Sequence, residues 1–264
     1  MGLAVAEKYR LYESAVQCFE NDINFINQEF KKEFGKLPKF LREDFGGTGA
    51  MACGWVKQGK DHQARAIDLD DDPIKYGIEN HYAALTTSEK RRMEYIKGNV
   101  LDQYEFVPDV IVAFNFSYFI FKSRKALLEY FTQVRKSLKS DGAFFLDIFG
   151  GTEARQLLEE ETEHEEFTYI WDCDSYNPLT DDCLYYIHFK THADKKLHKK
   201  VFTYDWRMWG LPEITDILID AGFSKVETYW EGEDGKGSGD GNFYRTKNAG
   251  NCESWVTYLM ATTK

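Results

Sequence analysis

The sequence predicts an α/β protein: a mostly parallel, seven-stranded sheet with helices on both faces, plus an antiparallel β insertion after the fifth strand. Three observations carry this. Extended apolar runs and helical periodicities alternate through the first 150 residues, as they do when parallel strands are joined by helical crossovers. A glycine turn, Gly46-Gly47-Thr48-Gly49, joins an extended run to the helix-forming Ala50, Met51 and Ala52. Beyond Phe149 the helical period gives way to residue-by-residue alternation over 167–209. The chain divides accordingly into an N-terminal helical cap (1–36), a nucleotide-binding core (37–150), the antiparallel insertion (151–209) and a segment completing the core sheet (210–264).

In chain order, residues 5–34 read as one amphipathic helix, with Tyr12, Val16, Phe19, Ile23, Ile26 and Phe30 on one stripe. Packing explains such a stripe, and its neighbours Tyr9, Tyr12 and Gln17 are also placed to close over a ligand. Strands follow at 40–45 and 64–69. Asp71, Asp72 and Pro73 suit the start of a helix over 74–85, and Ser88 suits a cap for a short turn. Tyr95 and Ile96 lead into the turn 98–102. Residues 108–116 and 143–149 read as strands buried on both faces, with a helix over 125–138 between them. A short helix is expected over 153–159. Extended segments then fall at 167–174, 183–191 and 201–209, a helix at 212–221, and strands at 223–230 and 254–262. The glycine-rich stretch 232–241 reads as a surface loop.

Length and composition bound what the protein does. The 264 residues are 43% hydrophobic and 16% aromatic, enough for one large core with a ring-rich pocket. A net charge of -11 excludes a general nucleic-acid binder and favours small, cationic partners. Five cysteines without a C-x-x-C pair read as free thiols, although Cys173 and Cys183 stand where a hairpin could face them. No apolar run is long enough to span a bilayer and no secretory leader is evident, so the expected location is cytoplasmic with no membrane partner. A homodimer is left open.

The glycine corner is the main chemical signal. Glycines let a backbone approach a ligand closely, and a helix N-terminus offers free N–H groups. Asp68 lies 19 residues beyond Gly49, the spacing at which an acid reaches the ribose hydroxyls in nucleotide folds. A glycine turn also simply connects a strand to a helix. The segment from Gly47 to Ala52 satisfies the G-x-G-x-x-A pattern of nicotinamide-dependent oxidoreductases too. Against that reading, the fifth strand leads to an antiparallel insertion rather than to a second βαβ half.

With these residues in view, the sequence resembles the Rossmann-like class I S-adenosylmethionine-dependent methyltransferases. Their motif, acid-x-Gly-x-Gly-x-Gly, corresponds to Glu43 through Gly49, with Glu43 as the acid, Gly47 and Gly49 as the later glycines and Phe45 in place of the first. The resemblance implies S-adenosylmethionine as cofactor and a small-molecule methyl acceptor, an amine or carboxylate-bearing amine, under the antiparallel roof. It assigns Glu43, Phe45, Gly46, Gly47, Thr48 and Gly49 to the methionine end. Asp68 and Leu69 go to the ribose, Asn99 and Val100 to the adenine, and Asn115 and Phe116 to the strand end facing the methyl group. Arg42 is a partner for the cofactor carboxylate and Tyr12 a residue closing over it.

Catalytic candidates are Asn115, Tyr118, Tyr204 and Asp205, the last three as bases if the nucleophile arrives protonated. Substrate candidates are Tyr118, Trp206, Arg207 and Trp209, with Arg207 for a carboxylate and the rings for an amine. A packed face with an Asp205–Arg207 surface ion pair is the plainer reading of that cluster. His188 and His192 share a strand face without an evident third ligand, so no metal is expected. The stretch from Asp234 has the outline of a calcium loop, but Lys236 and Arg245 stand where ligands belong. A cofactor-binding protein without activity is the remaining alternative, because fold alone does not establish catalysis.

Overall fold

A computed structural model describes residues 3–233, 235 and 239–263. Two sheets organise them. The larger has eight strands: β1 (Phe40–Asp44), β2 (Gln63–Asp68), β3 (Met93–Lys97), β4 (Val110–Ala113), β5 (Ala143–Gly150), β10 (Lys225–Glu233), β11 (Gly239–Thr246) and β12 (Trp255–Thr262), in the order β11-β10-β12-β5-β4-β1-β2-β3. Strands β3, β2, β1, β4 and β5 run parallel, whereas β12 enters antiparallel between β5 and β10. The smaller sheet, β6-β7-β8-β9, is fully antiparallel: β6 (Glu159–Glu163), β7 (Phe167–Asn177), β8 (Asp182–Thr191) and β9 (Lys196–Arg207).

The main sheet thus has eight strands and not seven. The additional strand, β11, lies in sequence that reads as loop, because its glycine- and asparagine-rich stretch lacks apolar alternation. It forms by laddering onto β10 and by seating Phe243 against Phe25 and Tyr258. Of the two residues that told against a calcium loop, Lys236 lies outside the described residues, as does Asp234, and Arg245 pairs with Glu227. The helix expected over 153–159 is a single 3-10 turn, Glu153–Arg155, followed by β6. Every side chain of β6 is exposed, so only its backbone pairing with β7 makes it a strand.

The single N-terminal helix is two: α1 (Val5–Val16) and α2 (Phe19–Phe34), with Gln17 and Cys18 out of helical conformation. Two different cores cause the break. Leu11 of α1 packs with Phe167, Ile187 and Phe189 on the small sheet. Ile23, Ile26 and Phe30 of α2 pack with α3 (Ala50–Val56) and the large sheet. One straight stripe cannot reach both.

Helix α4 (Asp71–Gly77) is capped by Asp70, whose side chain accepts from Asp72 N, while Asp71 and Asp72 occupy the first turn. A π-helical turn, Ile78–Tyr82, replaces the expected extension of that helix. Thr86 and not Ser88 caps α5 (Thr87–Lys90), in a reciprocal box with Glu89. Helices α6 (Arg124–Ser137) and α7 (Leu211–Asp220) cover the other face of the sheet through Leu127, Phe131, Ile214 and Leu218. Cys173 and Cys183 do not face each other; their β-ladder partners are Tyr185 and Tyr176, and all five cysteines are free. No helix of the described residues is long and apolar enough to cross a membrane.

Phe30 is fully buried on the inner face of α2, its ring tilted against that of Phe34. Phe30→Ala therefore lowers unfolding stability by about 3–5 kcal/mol, measured by denaturant titration.

Candidate functional site

The site begins where β1 ends. Phe45, Gly47 and Gly49 all have positive φ, at 55°, 53° and 64°. The turn therefore needs left-handed backbone at three of five positions, which glycine adopts freely and phenylalanine only at a cost. The Phe45 ring offsets that cost by packing on Phe121 and Tyr130. Behind the turn, Gly47 N donates to Asp68 Oδ2 at 2.7 Å and Asp70 N donates to Asp68 Oδ1 at 2.9 Å. Asp68 is thereby fixed at the end of β2, facing the glycines. On the neighbouring strand, Glu43 Oε2 accepts from Ala52 N at 3.0 Å, in the first turn of α3.

These groups form one wall of a cleft of about 260 Å³. Lys8, Tyr9 and Tyr12 of α1, Phe19 and Asp22 of α2, Phe114, Asn115 and Ser117 beyond β4, and Phe202 and Tyr204 of β9 close the other sides. Four carboxyl side chains line it, Asp22, Glu43, Asp68 and Asp70, against one cation among the described residues, Lys8, while Asp44 turns its carboxylate to the buried Arg42. Burial, and after it crowding, raises the proton affinity of Glu43, Asp22 and Asp68. Desolvation pushes Glu43 up to about 8, with Asp68 and Asp22 adding repulsion. Asp22 rises to about 6 by burial, against a 2.6 Å hydrogen bond donated by Tyr258. Burial also raises Asp68, opposed by the N–H groups that hold it.

Nearby, burial raises Asp147 of β5 to about 7. Its carboxylate accepts from Asn115 N at 2.7 Å and Phe116 N at 2.9 Å, pinning two successive residues with φ of 57°. Glu13 fastens α1 over the glycine turn, accepting from Thr48 Oγ1 at 2.5 Å and pairing with His81 Nε2 at 2.7 Å.

The structure brings Tyr12, Glu43, Phe45, Gly46, Gly47, Thr48, Asp68, Asn115 and Tyr204 to this cleft. Gly49 shapes the turn from behind, as the residue preceding α3. Other candidates are elsewhere. Arg42 is fully buried on the opposite face of β1, with Nε 2.6 Å from Asp44 Oδ1 and Nη2 donating to Val100 O. Strand alternation sends Arg42 and Glu43 to opposite sides, so Arg42 does not meet the cleft. Leu69 is exposed, and Asn99 and Val100 stand at the end of β3 outside the cleft lining; Asn99 caps its own turn through Leu101 N.

Phe116 turns away onto Phe149, and Tyr118 is fully buried with its hydroxyl donating to Asp147 O. Neither Tyr118 nor Asp205 is placed to act as a base here; Asp205 is on the outer surface, paired with Lys122. Tyr204 does line the cleft, but burial holds its phenol well above the ordinary tyrosine range and hence protonated. Trp206 is buried in a ring cluster with Tyr204 and Phe119. Arg207 stacks 3.9 Å over the buried Trp209 and donates to Glu213, so both are structural, and the expected Asp205–Arg207 pair does not form. His188 meets Asp172 and Glu159, but Lys200 N donates to its Nδ1 at 2.8 Å. That leaves the proton on Nε2, aimed at Asp172 and occupying the position a cation would take.

Sequence reasoning missed Lys8, Glu13, Asp22, Asp147 and Phe202. Asp147 did carry a signal, as the lone acid within the apolar run Ala143–Gly150. The others depend on how α1, α2 and β9 fold over the corner.

No family model matches the chain, and no curated protein sequence matches it. Solved structures do match in fold. An S-adenosylmethionine-dependent methyltransferase from Clostridium acetobutylicum superimposes with a TM-score of 0.70 at 15% identity, over 98% of each chain. The sugar N-methyltransferase KedS8 from Streptoalloteichus gives 0.64 at 13%, over 100% of this chain and 94% of that one. CalS10 from Micromonospora echinaspora, an amino pentose methyltransferase solved with its cofactor bound, gives 0.65 at 11%, over 99% and 98%. The fold is the one these methyltransferases share, small antiparallel sheet included.

Two outcomes follow from the geometry. Arg42→Ala strands Asp44 in the interior, costing about 3–5 kcal/mol of stability in denaturant titration. Glu43 and Asp147 hold their protons to higher pH folded than unfolded, from ordinary values of 4.5 and 3.8 to about 8 and 7. The folded state then binds more protons across that window, so their contribution to stability falls as pH rises from about 4 to 8. Melting temperatures of the ligand-free protein record the fall, and Glu43→Gln makes it shallower.

Proposed function

We propose that this chain is an S-adenosylmethionine-dependent methyltransferase acting on a small-molecule amine. The carrying observation is the charge of the cleft: four carboxylates and one lysine around a glycine corner. Such a site favours a nucleoside bearing positive charge. S-Adenosylmethionine has an ammonium and a sulfonium, and its vicinal ribose hydroxyls suit a carboxylate. Asp68, held by two backbone N–H groups, would take the ribose. Glu43 and the glycine turn would take the methionine ammonium, and Asn115 would face the transferring group. Tyr12, Phe202 and Tyr204 exclude water from above.

When bound, the cofactor supplies an activated methyl group, which passes to the acceptor's lone pair as its bond to sulfur breaks, leaving neutral S-adenosylhomocysteine. The chain's part is to hold two reactants in line and keep the site dry. A carboxylate already sits on Ala52 N, where the pyrophosphate of a nicotinamide dinucleotide would need the helix N-terminus. This disfavours the oxidoreductase reading. The amine acceptor is favoured by the acid lining and is in keeping with the amino-sugar substrates named for the structural neighbours.

The test is calorimetry and thermal shift with S-adenosylhomocysteine, S-adenosylmethionine and NAD(H). S-Adenosylhomocysteine raises the melting temperature, and Asp68→Ala weakens its binding by about 10-fold or more. S-Adenosylmethionine binds more tightly as pH rises from 6 to 8.5, because Glu43 must lose its proton to pair with the ligand's cations, and Glu43→Gln flattens that slope. An upshift with NAD(H) and none with S-adenosylhomocysteine overturns the proposal.

A further inference from the structure

A second cavity, of about 680 Å³, lies between α2 and the β10–β11 hairpin. It is lined by rings, Phe25 and Phe243 among them, and by neutral amides such as Asn24 and Asn242. Rings beside paired donors and acceptors suit a hydroxylated, partly apolar ligand. Among the described residues, Asp22 is the one lining both this cavity and the cofactor cleft. Its carboxylate is half-buried and accepts a hydrogen bond at Oδ1 from Tyr258, which also faces the second cavity.

Asp147 and Asp68 have both oxygens engaged, by the backbone N–H groups of Asn115 and Phe116 and of Gly47 and Asp70, and Glu43 has one, on Ala52 N. The groups acting on Asp22 are Tyr258 from β12, Glu20 on its own helix, Glu43 from β1 and Asp147 from β5. Glu43 and Asp147 are raised to about 8 and about 7, whereas Asp22 stands at about 6 and is mostly ionised at neutral pH.

Resting on the methyltransferase reading above, we infer that the acceptor is a polyhydroxylated amine that enters through the α2–hairpin cavity, and that Asp22 receives its ammonium proton. The transfer balances simply. The carboxylate becomes a carboxylic acid, the ammonium becomes an amine with a free lone pair, and the proton later leaves to solvent through the open second cavity. Tyr258 is a positioning residue: its hydroxyl orients the carboxylate and favours the ionised form.

The test uses the full chain with S-adenosylhomocysteine bound, and glucosamine and 3-amino-3-deoxyglucose as probes. Calorimetry gives saturable binding of at least one probe to the wild-type complex. Asp22→Asn weakens it by about 10-fold or more, and Asn24→Trp, which fills the cavity, does likewise. Asn24→Trp holds S-adenosylhomocysteine within about 2-fold of wild type, and a cooperative thermal melt of each variant shows that both fold. In turnover with the same probes, Asp22→Asn lowers kcat at pH 7 by about 100-fold, and the loss narrows as pH rises and the amine arrives already deprotonated. Tyr258→Phe removes a hydrogen bond to the carboxylate, raises its proton affinity and moves the acid limb of the rate profile to higher pH. Failure of both probes to bind the wild-type complex, or binding unchanged in Asp22→Asn, overturns the assignment. Failure of S-adenosylhomocysteine itself to bind overturns instead the cofactor reading beneath it.

Discussion

Carboxylates gathered in a partly dry cleft repel one another and lose hydration, and this constraint shapes the molecule more than any single contact. Asp68 and Glu43 are tolerated because backbone N–H groups point at them. Those N–H groups are in position because the turn between β1 and α3 runs through left-handed residues. Asp147 repeats the device on β5 and holds the loop after β4. The protein leaves that neutralisation incomplete, so the cleft attracts positive charge before any fit of shape.

The core was legible in the sequence because it is built from local signals. Alternating strands and helices, a glycine turn and an acid at the next strand end lie close together along the chain, and all four appear in the fold. Asp68 is the clearest case, since its place at the end of β2 beside the glycine turn follows from spacing alone. Arg42 shows the limit. It is adjacent to Glu43 and looks equally available, yet strand alternation sends it into the core with Asp44.

What stayed hidden is what depends on distant segments. Tyr118 and Trp206 look like pocket aromatics, and rings are just as useful in a core. Strand β6 has no apolar alternation because both of its faces meet solvent. The break between α1 and α2 cannot be read from their shared stripe, since it arises from two cores lying in different directions. Asp22 belongs to the cleft only because that break turns α2 across it.

Phe45 carries a last consequence. It stands where a glycine would relax the turn, adopts the left-handed conformation regardless, and places a ring against Phe121 and Tyr130. The backbone strain, about 1–2 kcal/mol, is set against packing that glycine lacks. The corner therefore demands the sign of an angle rather than a particular letter. A sequence can leave the glycine spelling of such a turn and keep its geometry, provided the incoming side chain finds a core to enter.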